Sequence, residues 1–257
     1  MSEFKNPFSL EGKTALITGS YRGLGLSIAT GLAEAGARVL INGRSSEGVE
    51  AAVIDLRKKG FNADGFAFDI TDAEAVETSI TRIRKEIGPI DILVNSAGIQ
   101  KRNPILDMSV EDFREVLDVN LTSAFIMSKT VAVGMIEQGF GKIINVCSLM
   151  SHLARPTIAN YSAAKGGLHM LTKSMTGEWA AKNIQINGIG PGYFETDLTR
   201  PLKENPEFDG WICGRTPAGR WGQPEELKGV AVFLASDAST FVNGQLIMVD
   251  GGLMAVV

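Results

Sequence analysis

The sequence has very little of the residues that usually build metal or disulfide sites. Its 257 residues include only two cysteines and two histidines. Cys147 and Cys213 are too far apart to form a C-x-x-C motif, and two histidines are too few for a histidine-rich metal site. We therefore expect no metal centre, and we expect a reduced, cytoplasmic protein.

Excess basic charge and long apolar runs are also missing. The net charge of −4 and the pI near 5.4 disfavour a nucleic-acid partner or a basic membrane-binding surface. No continuous apolar run approaches the roughly 18 residues of a membrane span. The opening residues 1–13 show no basic segment followed by an apolar one, as a secretory signal would. The expectation is a protein with neither nucleic-acid nor membrane partners.

Short β-rich runs alternate with longer segments of helical period. The runs are almost continuously apolar, which is typical of parallel strands covered on both faces. They lie at 13–18, 37–41, 65–68, 90–95, 142–147, 184–189 and 245–249. The helical segments lie at 23–36, 46–59, 72–87, 109–133, 159–182 and 224–234. This alternation predicts a Rossmann-like, doubly wound parallel sheet of about seven strands with helices on both faces.

No internal repeat, low-complexity segment or linker divides the chain, so we expect a single domain over residues 1–257. One long stretch, 193–222, shows no regular pattern. Irregular loops of that length in a compact domain are usually binding elements, and we interpret this one as a substrate lid.

A glycine-rich loop at 18–25, TGSYRGLG, follows the first strand and opens the first helix. Gly19, Gly23 and Gly25 allow a tight turn and the close approach of a pyrophosphate. The helix N-terminus then offers free N–H groups. The spacing is wider than the usual G-x-G-x-x-G, and a tight turn without a ligand is the alternative.

The end of the second strand indicates which dinucleotide would bind. An NAD site often has a carboxylate there for the ribose 2′-hydroxyl, but this chain has Asn42 and Arg44, with Arg22 in the glycine loop. Guanidinium groups suit a 2′-phosphate, so the pattern favours NADP(H), with NAD(H) possible as a second cofactor. Asp69 could accept a bond from the adenine amino group or cap the following helix.

The segment YSAAKGG, 161–167, places Tyr161 and Lys165 one helical turn apart. Residues i and i+4 share a helix face, so the phenol and the ammonium can point into one space. An incidental surface pair is the alternative. A unit charge about 4 Å away is worth roughly 4 kcal/mol at an effective dielectric near 20. We therefore expect Lys165 to lower the pKa of Tyr161.

These motifs, with several others in order, resemble the short-chain dehydrogenase/reductase family over almost the whole chain. The matching segments are TGSYRGLG, NSAG at 95–98, LDVNLTS, INVCS, YSAAK and NGIGPGYFET at 187–196. Ser96 departs from the family's Asn-Asn-Ala-Gly pattern. The resemblance implies a catalytic set of Asn120, Ser148, Tyr161 and Lys165. In it Tyr161 is the acid or base, Ser148 binds the substrate oxygen and Asn120 kinks its helix.

The resemblance also implies a cofactor site that extends beyond the glycine loop. Its residues are Gly19, Ser20, Arg22, Gly23, Leu24, Gly25, Asn42, Arg44, Ser45, Asp69, Ile70, Asn95, Ala97, Gly98, Tyr161, Lys165, Pro191, Gly192 and Thr196. Lys165 would also bond the nicotinamide ribose. Members of the family are commonly tetramers, which implies a homotetramer here.

Longer segments narrow the resemblance to the gluconate 5-dehydrogenase branch, also called 5-keto-gluconate reductase. They include NSAGIQKRNP, INVCSLMSHLARP and RTPAGRWGQPEEL. The implied function is NADP(H)-dependent interconversion of D-gluconate and 5-keto-D-gluconate. Alternatives are another sugar-acid ketone reductase, such as a 2-dehydro-3-deoxy-gluconate 5-dehydrogenase, and a non-catalytic nucleotide-binding protein. The latter is disfavoured because the catalytic set is complete.

The substrate would lie beside the nicotinamide, above the carboxyl ends of the fourth to sixth strands. The segments leaving those ends bring cationic groups, including Lys101, and few acids before Glu195. An arginine can hold a carboxylate through two parallel bonds, so we expect an anionic substrate. The expected substrate-binding residues are Arg102, Ser148, His152, Arg155 and Tyr193. His152 stands where the branch tends to carry Glu.

Overall fold

The computed structural model describes residues 6–256. Their strands form one sheet in which every neighbouring pair is parallel, in the order β3-β2-β1-β4-β5-β6-β7. The strands are β1 (Thr14–Ile17), β2 (Arg38–Gly43), β3 (Ala63–Ala67), β4 (Ile92–Asn95), β5 (Gly141–Val146), β6 (Ile184–Pro191) and β7 (Leu246–Val249). The predicted seven-stranded, doubly wound fold is confirmed, with each strand displaced by at most a few residues.

Helices connect the strands and cover both faces of the sheet. They are α1 (Gly23–Glu34), α2 (Ser46–Lys58), α3 (Ala73–Glu86), α4 (Val110–Leu117), α5 (Ser123–Gln138), α6 (Ala159–Trp179), α7 (Arg200–Lys203), α8 (Pro206–Arg215) and α9 (Lys228–Ala235). Short 3₁₀ turns extend α6 over Ala180–Lys182 and precede α9 over Pro224–Leu227.

Successive residues of one strand enter opposite hydrophobic layers. Ala15 and Ile17 pack with the residues of α1, α2 and α9, whereas Leu16 between them packs with residues of α3, α5 and α6. All three side chains are fully buried. This two-sided burial is why the strands read as continuous apolar runs.

The strand order reverses at β1, which pairs with β2 on one side and β4 on the other. The connections therefore leave in opposite directions at the carboxyl ends of β1 and β4. In open parallel sheets, such a reversal opens a crevice where ligands bind. The glycine loop after β1 and the NSAG segment after β4 lie on its two sides.

The helix predicted over 109–133 is interrupted. A π-helical turn at Asp118–Thr122 separates α4 from α5 and holds the buried Asn120. Asn120 accepts a bond from the Ile99 N–H (2.8 Å) and donates to the Ile99 carbonyl (2.8 Å). Its side chain thus ties the helix to the loop after β4, and π turns of this kind often mark functional sites.

The stretch 110–138 is also long and apolar enough, by composition, to span a membrane, and 44% of its most apolar window is buried. It contains Ser128, Lys129 and Thr130, so no continuous apolar run is present. Helix α5 packs on β4, β5 and α3, as the core helix of a water-soluble protein does.

The prediction that 193–222 is irregular is wrong, because α7 and α8 lie within it. Asn205 accepts a bond from the Phe208 N–H (3.0 Å), and Pro206 occupies the first turn of α8. An Asn followed by Pro is a helix-start signal, and it was overlooked in a segment otherwise rich in polar and glycine residues.

Lys142 provides a test of the energetics of this core. It lies fully buried in β5, where its ammonium donates to the Ser239 hydroxyl at 3.3 Å. Burial lowers its pKa to about 8 from an ordinary value of 10.5. Burying the charged form costs stability below about pH 8. As the pH rises from there to 10.5, the folded protein loses this proton before the unfolded chain does.

We therefore predict that the free energy of unfolding of the wild type rises across this interval more steeply than that of Lys142→Met. Urea unfolding at several pH values and one protein concentration measures both slopes. Because Lys165 titrates in the same direction in both proteins, the difference isolates Lys142. Equal slopes would contradict the prediction.

Candidate active site

The glycine loop begins at the end of β1, where space for side chains is absent. Gly19 has φ +61°, and a Cβ on it would lie 2.8 Å from Cα of Ala97. A Cβ on Gly25 would lie 2.6 Å from the Gly19 carbonyl oxygen. Gly23 also has a positive φ of +58°, but the space beside it is open. Side chains at Gly19 and Gly25 would therefore clash with protein backbone, whereas the space beside Gly23 is open. A pyrophosphate needs such a close, open backbone.

The first turn of α1 has no internal counter-charge. Arg22 precedes the helix without capping it by a side-chain hydrogen bond, and the first turn contains no acidic residue. Free N–H groups at the start of a helix of 12 residues attract a phosphate. The structure therefore agrees with the predicted use of this loop.

The end of β2 matches the requirements of a 2′-phosphate. Arg44 lines the crevice, and neither it nor Arg22 forms an ion pair with a carboxylate among residues 6–256. Asn42 is buried and donates to the carbonyls of Phe66 (3.1 Å) and Phe68 (3.3 Å). This amide therefore shapes the end of the strand, and Arg44 is left as the group able to meet an anion.

Asp69 lies on the far wall of the same crevice. Its carboxylate accepts bonds from the backbone N–H (2.9 Å) and hydroxyl (2.7 Å) of Thr71. Partial burial opposes ionisation, but these bonds and the charge of Arg44 hold the pKa of Asp69 below its ordinary value. Asp69 thus stays an acceptor, as an adenine amino group requires.

The crevice is a cavity of about 460 Å³ that runs from the end of β2 to the catalytic helix α6. Most of the predicted cofactor residues line it: Gly19, Arg22, Gly23, Leu24, Gly25, Asn42, Arg44, Asp69, Ile70, Ala97, Gly98, Tyr161, Lys165, Pro191, Gly192 and Thr196. Its length, its glycine floor at one end and its cationic wall suit a dinucleotide with a phosphorylated ribose.

Three predicted cofactor residues do not line the cavity. Ser20 is buried and donates to the Ile17 carbonyl at 2.6 Å. Ser45 caps α2 by accepting from the Gly48 N–H. Asn95 donates to Asn145 (2.8 Å) and Ser128 (3.0 Å) in the core. Each small polar side chain bonds a local backbone or core partner instead of lining the cavity.

Other lining residues were missed from the sequence. They are neighbours of the motifs: Tyr21, Gly43, Phe68, Thr71, Ser96, Ile99, Val119, Val146, Cys147, Phe194, Asp197, Leu198 and Thr199. Most of them lie at or soon after the carboxyl end of a strand, which was the available signal because that edge of the sheet carries the ligand.

Tyr161 and Lys165 meet at the inner end of the cavity. The Lys165 ammonium lies 5.7 Å from the centre of the Tyr161 ring and donates to the Val146 carbonyl at 2.7 Å. Burial lowers the pKa of Lys165 to about 8 and raises the pKa of Cys147 to about 11. The thiol beside the catalytic loop therefore stays protonated.

The expected lowering of the Tyr161 pKa is wrong for this state of the protein. Burial raises the pKa of Tyr161 above its ordinary value, although Ser148 and Arg102 act in the opposite direction. Desolvation of the phenol outweighs both of these effects, and the Lys165 ammonium is bound to the Val146 carbonyl rather than to the phenol. Tyr161 therefore keeps its proton at neutral pH, as a general acid must.

Ser148 and Asn120 are also where the sequence placed them. Ser148 follows β5, lines the cavity and accepts from the Met150 N–H at 3.2 Å. Asn120 lies behind the loop that contains Gly98, and its amide oxygen would be 3.1 Å from a Cβ on that glycine. Asn120 thus fixes the loop after β4 rather than lining the cavity.

Of the predicted substrate residues, Ser148 lines the cavity, whereas Arg102, His152, Arg155 and Tyr193 do not; Arg102 and Tyr193 lie close enough to Tyr161 to affect its pKa. Arg102 donates to the Gln100 side chain at 2.8 and 2.6 Å, and Arg155 donates to the Tyr193 hydroxyl at 3.4 Å. Partial burial and the charge of Arg155 lower the pKa of Arg102. Two like charges therefore lie close together, and within residues 6–256 neither is paired with a carboxylate.

Two neighbouring cationic groups behave differently. Lys101 turns away to Asp112 (2.6 Å) and Glu115 on α4, so it does not contribute free charge. His152 packs edge-to-face on His169, with ring centres 4.9 Å apart. Burial, together with the charges of Lys173 and His152, lowers the pKa of His169.

Comparison with known proteins agrees with this geometry. A family model described as enoyl-(acyl carrier protein) reductase matches residues 19–254. A gluconate 5-dehydrogenase of Gluconobacter oxydans is 50% identical over 246 residues, covering 96% of each chain. The chain belongs to the short-chain dehydrogenase/reductase family. It is therefore an oxidoreductase by family, and its predicted fold and family resemblance are confirmed.

Two further members of the family show how the similarity is distributed. A 2-dehydro-3-deoxy-D-gluconate 5-dehydrogenase of Formosa agariphila is 49% identical over 252 residues, covering 97% of this chain and 96% of its own. The crystal structure of a gluconate 5-dehydrogenase from Burkholderia cenocepacia in complex with NADP and tartrate is 51% identical, with a TM-score of 0.96 over 98% of both chains. The Burkholderia structure therefore shares the fold of this chain over almost its whole length.

Proposed function

We propose that this protein is an NADP(H)-dependent oxidoreductase that interconverts D-gluconate and 5-keto-D-gluconate. The observation that carries the substrate class is the unneutralised pair Arg102 and Arg155 beside Tyr161. Two adjacent guanidinium groups without a carboxylate partner among the described residues need an anion, and a sugar acid supplies one. The relatives named for gluconate support the same assignment.

The cofactor proposal depends on the opposite end of the cavity. Arg44 and Arg22 both line the cavity at the end that holds the glycine loop, and neither forms an ion pair with a carboxylate among residues 6–256. A structural neighbour was crystallised with NADP, which agrees with this choice. When bound, the nicotinamide of such a cofactor gives up or accepts the hydride.

The side chains of the chain supply the proton and hold the substrate oxygen. During reduction, the Tyr161 hydroxyl donates its proton to the developing alkoxide, and Ser148 bonds the same oxygen. The buried Lys165 ammonium lies beside the phenol and stabilises the phenolate that remains. Asn120 positions the loop at Gly98 and Ile99 that forms the wall opposite α6.

A closely related activity is favoured by one relative. The 2-dehydro-3-deoxy-D-gluconate 5-dehydrogenase of Formosa agariphila is almost as similar as the gluconate enzyme. Both substrates carry a carboxylate, so Arg102 and Arg155 serve either. His152 is the group that faces the differing hydroxyls in our proposal.

We also propose a cytoplasmic homotetramer, as the family resemblance implies. Apolar side chains on α5 and α6 are exposed at Phe125, Val133, Ile136 and Met170. A second copy of the chain would bury them. Light scattering should give about four times the chain mass of 27.5 kDa, and a monomeric mass would contradict the proposal.

Tyr161→Phe tests the acid. It removes the transferred proton and keeps the ring, so turnover should fall by about two orders of magnitude or more while NADPH still binds. In the wild type, oxidation should accelerate with pH because the raised pKa of Tyr161 keeps the base form scarce at neutral pH. Tyr21→Phe, at the other end of the cavity, should retain turnover. A near-normal rate in Tyr161→Phe would eliminate the mechanism.

Arg44→Asp tests the choice of cofactor. The carboxylate should repel a 2′-phosphate and accept the 2′-hydroxyl, which shifts the preference toward NADH by about tenfold or more in kcat/KM. Arg114→Asp makes the same charge change on an exposed face of α4 and should leave the preference unchanged. A wild type with equal kcat/KM for both cofactors would contradict the NADP(H) assignment.

The substrate is tested by comparing 5-keto-gluconate with the neutral ketoses fructose and sorbose. Arg102→Ala and Arg155→Ala should each raise the KM for the acid by about tenfold or more, because each removes a charge-assisted bond. A neutral ketose preferred by the wild type, with both variants harmless, would remove the claim. A higher kcat/KM for the 3-deoxy acid would favour the second activity.

A further inference from the structure

The Arg155 guanidinium packs against an aromatic ring of the lid segment, 193–222. Its guanidinium carbon lies 5.0 Å from the centre of the Phe208 ring, and its Nη1 donates to the Tyr193 hydroxyl. Arg155 leaves the loop after β5, whereas Phe208 lies on α8. The contact therefore joins the catalytic loop to the lid through one cation–π interaction.

Phe208 itself is fixed on several sides. Its N–H donates to the Asn205 cap of α8, and its ring packs against Tyr193 (5.7 Å), Trp221 (6.4 Å) and Trp211 (5.5 Å). The first-turn position and the ring contacts leave the side chain little freedom to turn away from Arg155.

Trp221 connects this cluster to the core. It is fully buried, and its indole N–H donates to Asp209 of α8 at 2.7 Å. Lys203 of α7 also binds Asp209 at 2.9 Å. A continuous series of contacts thus runs from the core through Trp221 and Phe208 to Arg155.

An arginine without such support would lose rotamer freedom on binding an anion. Ordering a long side chain costs conformational entropy, and this cost is avoided if the side chain is already held. An aromatic face also leaves the N–H edge of the guanidinium free, whereas a carboxylate partner would occupy it. A stacked arginine is therefore pre-organised for a carboxylate and still available to it.

We propose that Phe208 is a positioning residue for recognition of the substrate carboxylate. Its ring holds the Arg155 guanidinium in place for the acid group. The packing of α8 on Trp221 therefore determines how strongly the protein prefers an acid to a neutral ketose. The proposal rests on the proposed function, because it assumes that Arg155 binds the acid group.

Phe208→Leu removes the aromatic face and keeps an apolar side chain. It should raise the KM for 5-keto-gluconate by about threefold to thirtyfold, the range of a partly desolvated cation–π contact, with little change in kcat. The KM for fructose and the affinity for NADPH should stay within about twofold of the wild type. Phe208→Tyr keeps the aromatic face and should restore the KM for the acid.

Trp211→Leu is the matched control. Trp211 lies on the same helix and touches Phe208, but it is half exposed and does not stack on Arg155. It should leave the KM for the acid unchanged. If Trp211→Leu and Phe208→Leu raise it equally, or if Phe208→Leu raises the KM for acid and ketose alike, the lid acts through general packing and the proposal is overturned.

A double-mutant cycle separates this inference from the proposed function. In an Arg155→Ala background, Phe208→Leu should have no further effect on the KM for the acid, since the ring no longer has a cation to hold. Additive effects would overturn the role of Phe208. If Arg155→Ala alone is harmless, the anionic-substrate proposal fails first. If Arg155→Ala is harmful and Phe208→Leu is not, only the present inference fails.

Discussion

The buried ammonium of Lys165 is the constraint around which this site is organised. It donates to the Val146 carbonyl at the end of β5 and lies beside the Tyr161 ring. Burial lowers its pKa to about 8, so the protein holds a charge there against the cost of desolvation. The charge keeps its partners, the Val146 carbonyl and the Tyr161 ring, only while the end of β5, helix α6 and the loop at Gly98 stay in place.

The two ends of the crevice use electrostatics differently. At the glycine loop, backbone N–H groups and arginines without carboxylate partners offer positive potential to a phosphate. At the inner end, desolvation raises the pKa of Tyr161 and lowers that of Lys165, which moves the two proton affinities apart. Tyr161 therefore keeps its proton at neutral pH, whereas the Lys165 ammonium gives up its proton more easily than a free lysine does.

Outside the reacting groups, ion pairs with nearby carboxylates neutralise some of the basic side chains and not others. Lys101 is adjacent in sequence to Arg102, but Asp112 and Glu115 occupy its ammonium. Within residues 6–256, Arg102 and Arg155 donate to neutral acceptors, the side chains of Gln100 and Tyr193. The cationic character of this region therefore reduces to two guanidinium groups, and one of them is supported by the aromatic cluster of the lid.

The sequence by itself determined the sheet, the glycine loop and the Tyr161–Lys165 pair, because these depend on local period and on residues close together in the chain. Tyr161 and Lys165 are one turn apart, and the strands are continuous apolar runs.

Tertiary structure decided the rest. The pKa of Tyr161 moves against the sequence prediction because desolvation outweighs the hydrogen bond of Ser148 and the charge of Arg102. Asn95 and Ser20 turn into the core, where unpaired polar groups are costly. Arg155 meets Phe208 across 53 positions of sequence, a contact that only the folding of α8 onto Trp221 creates.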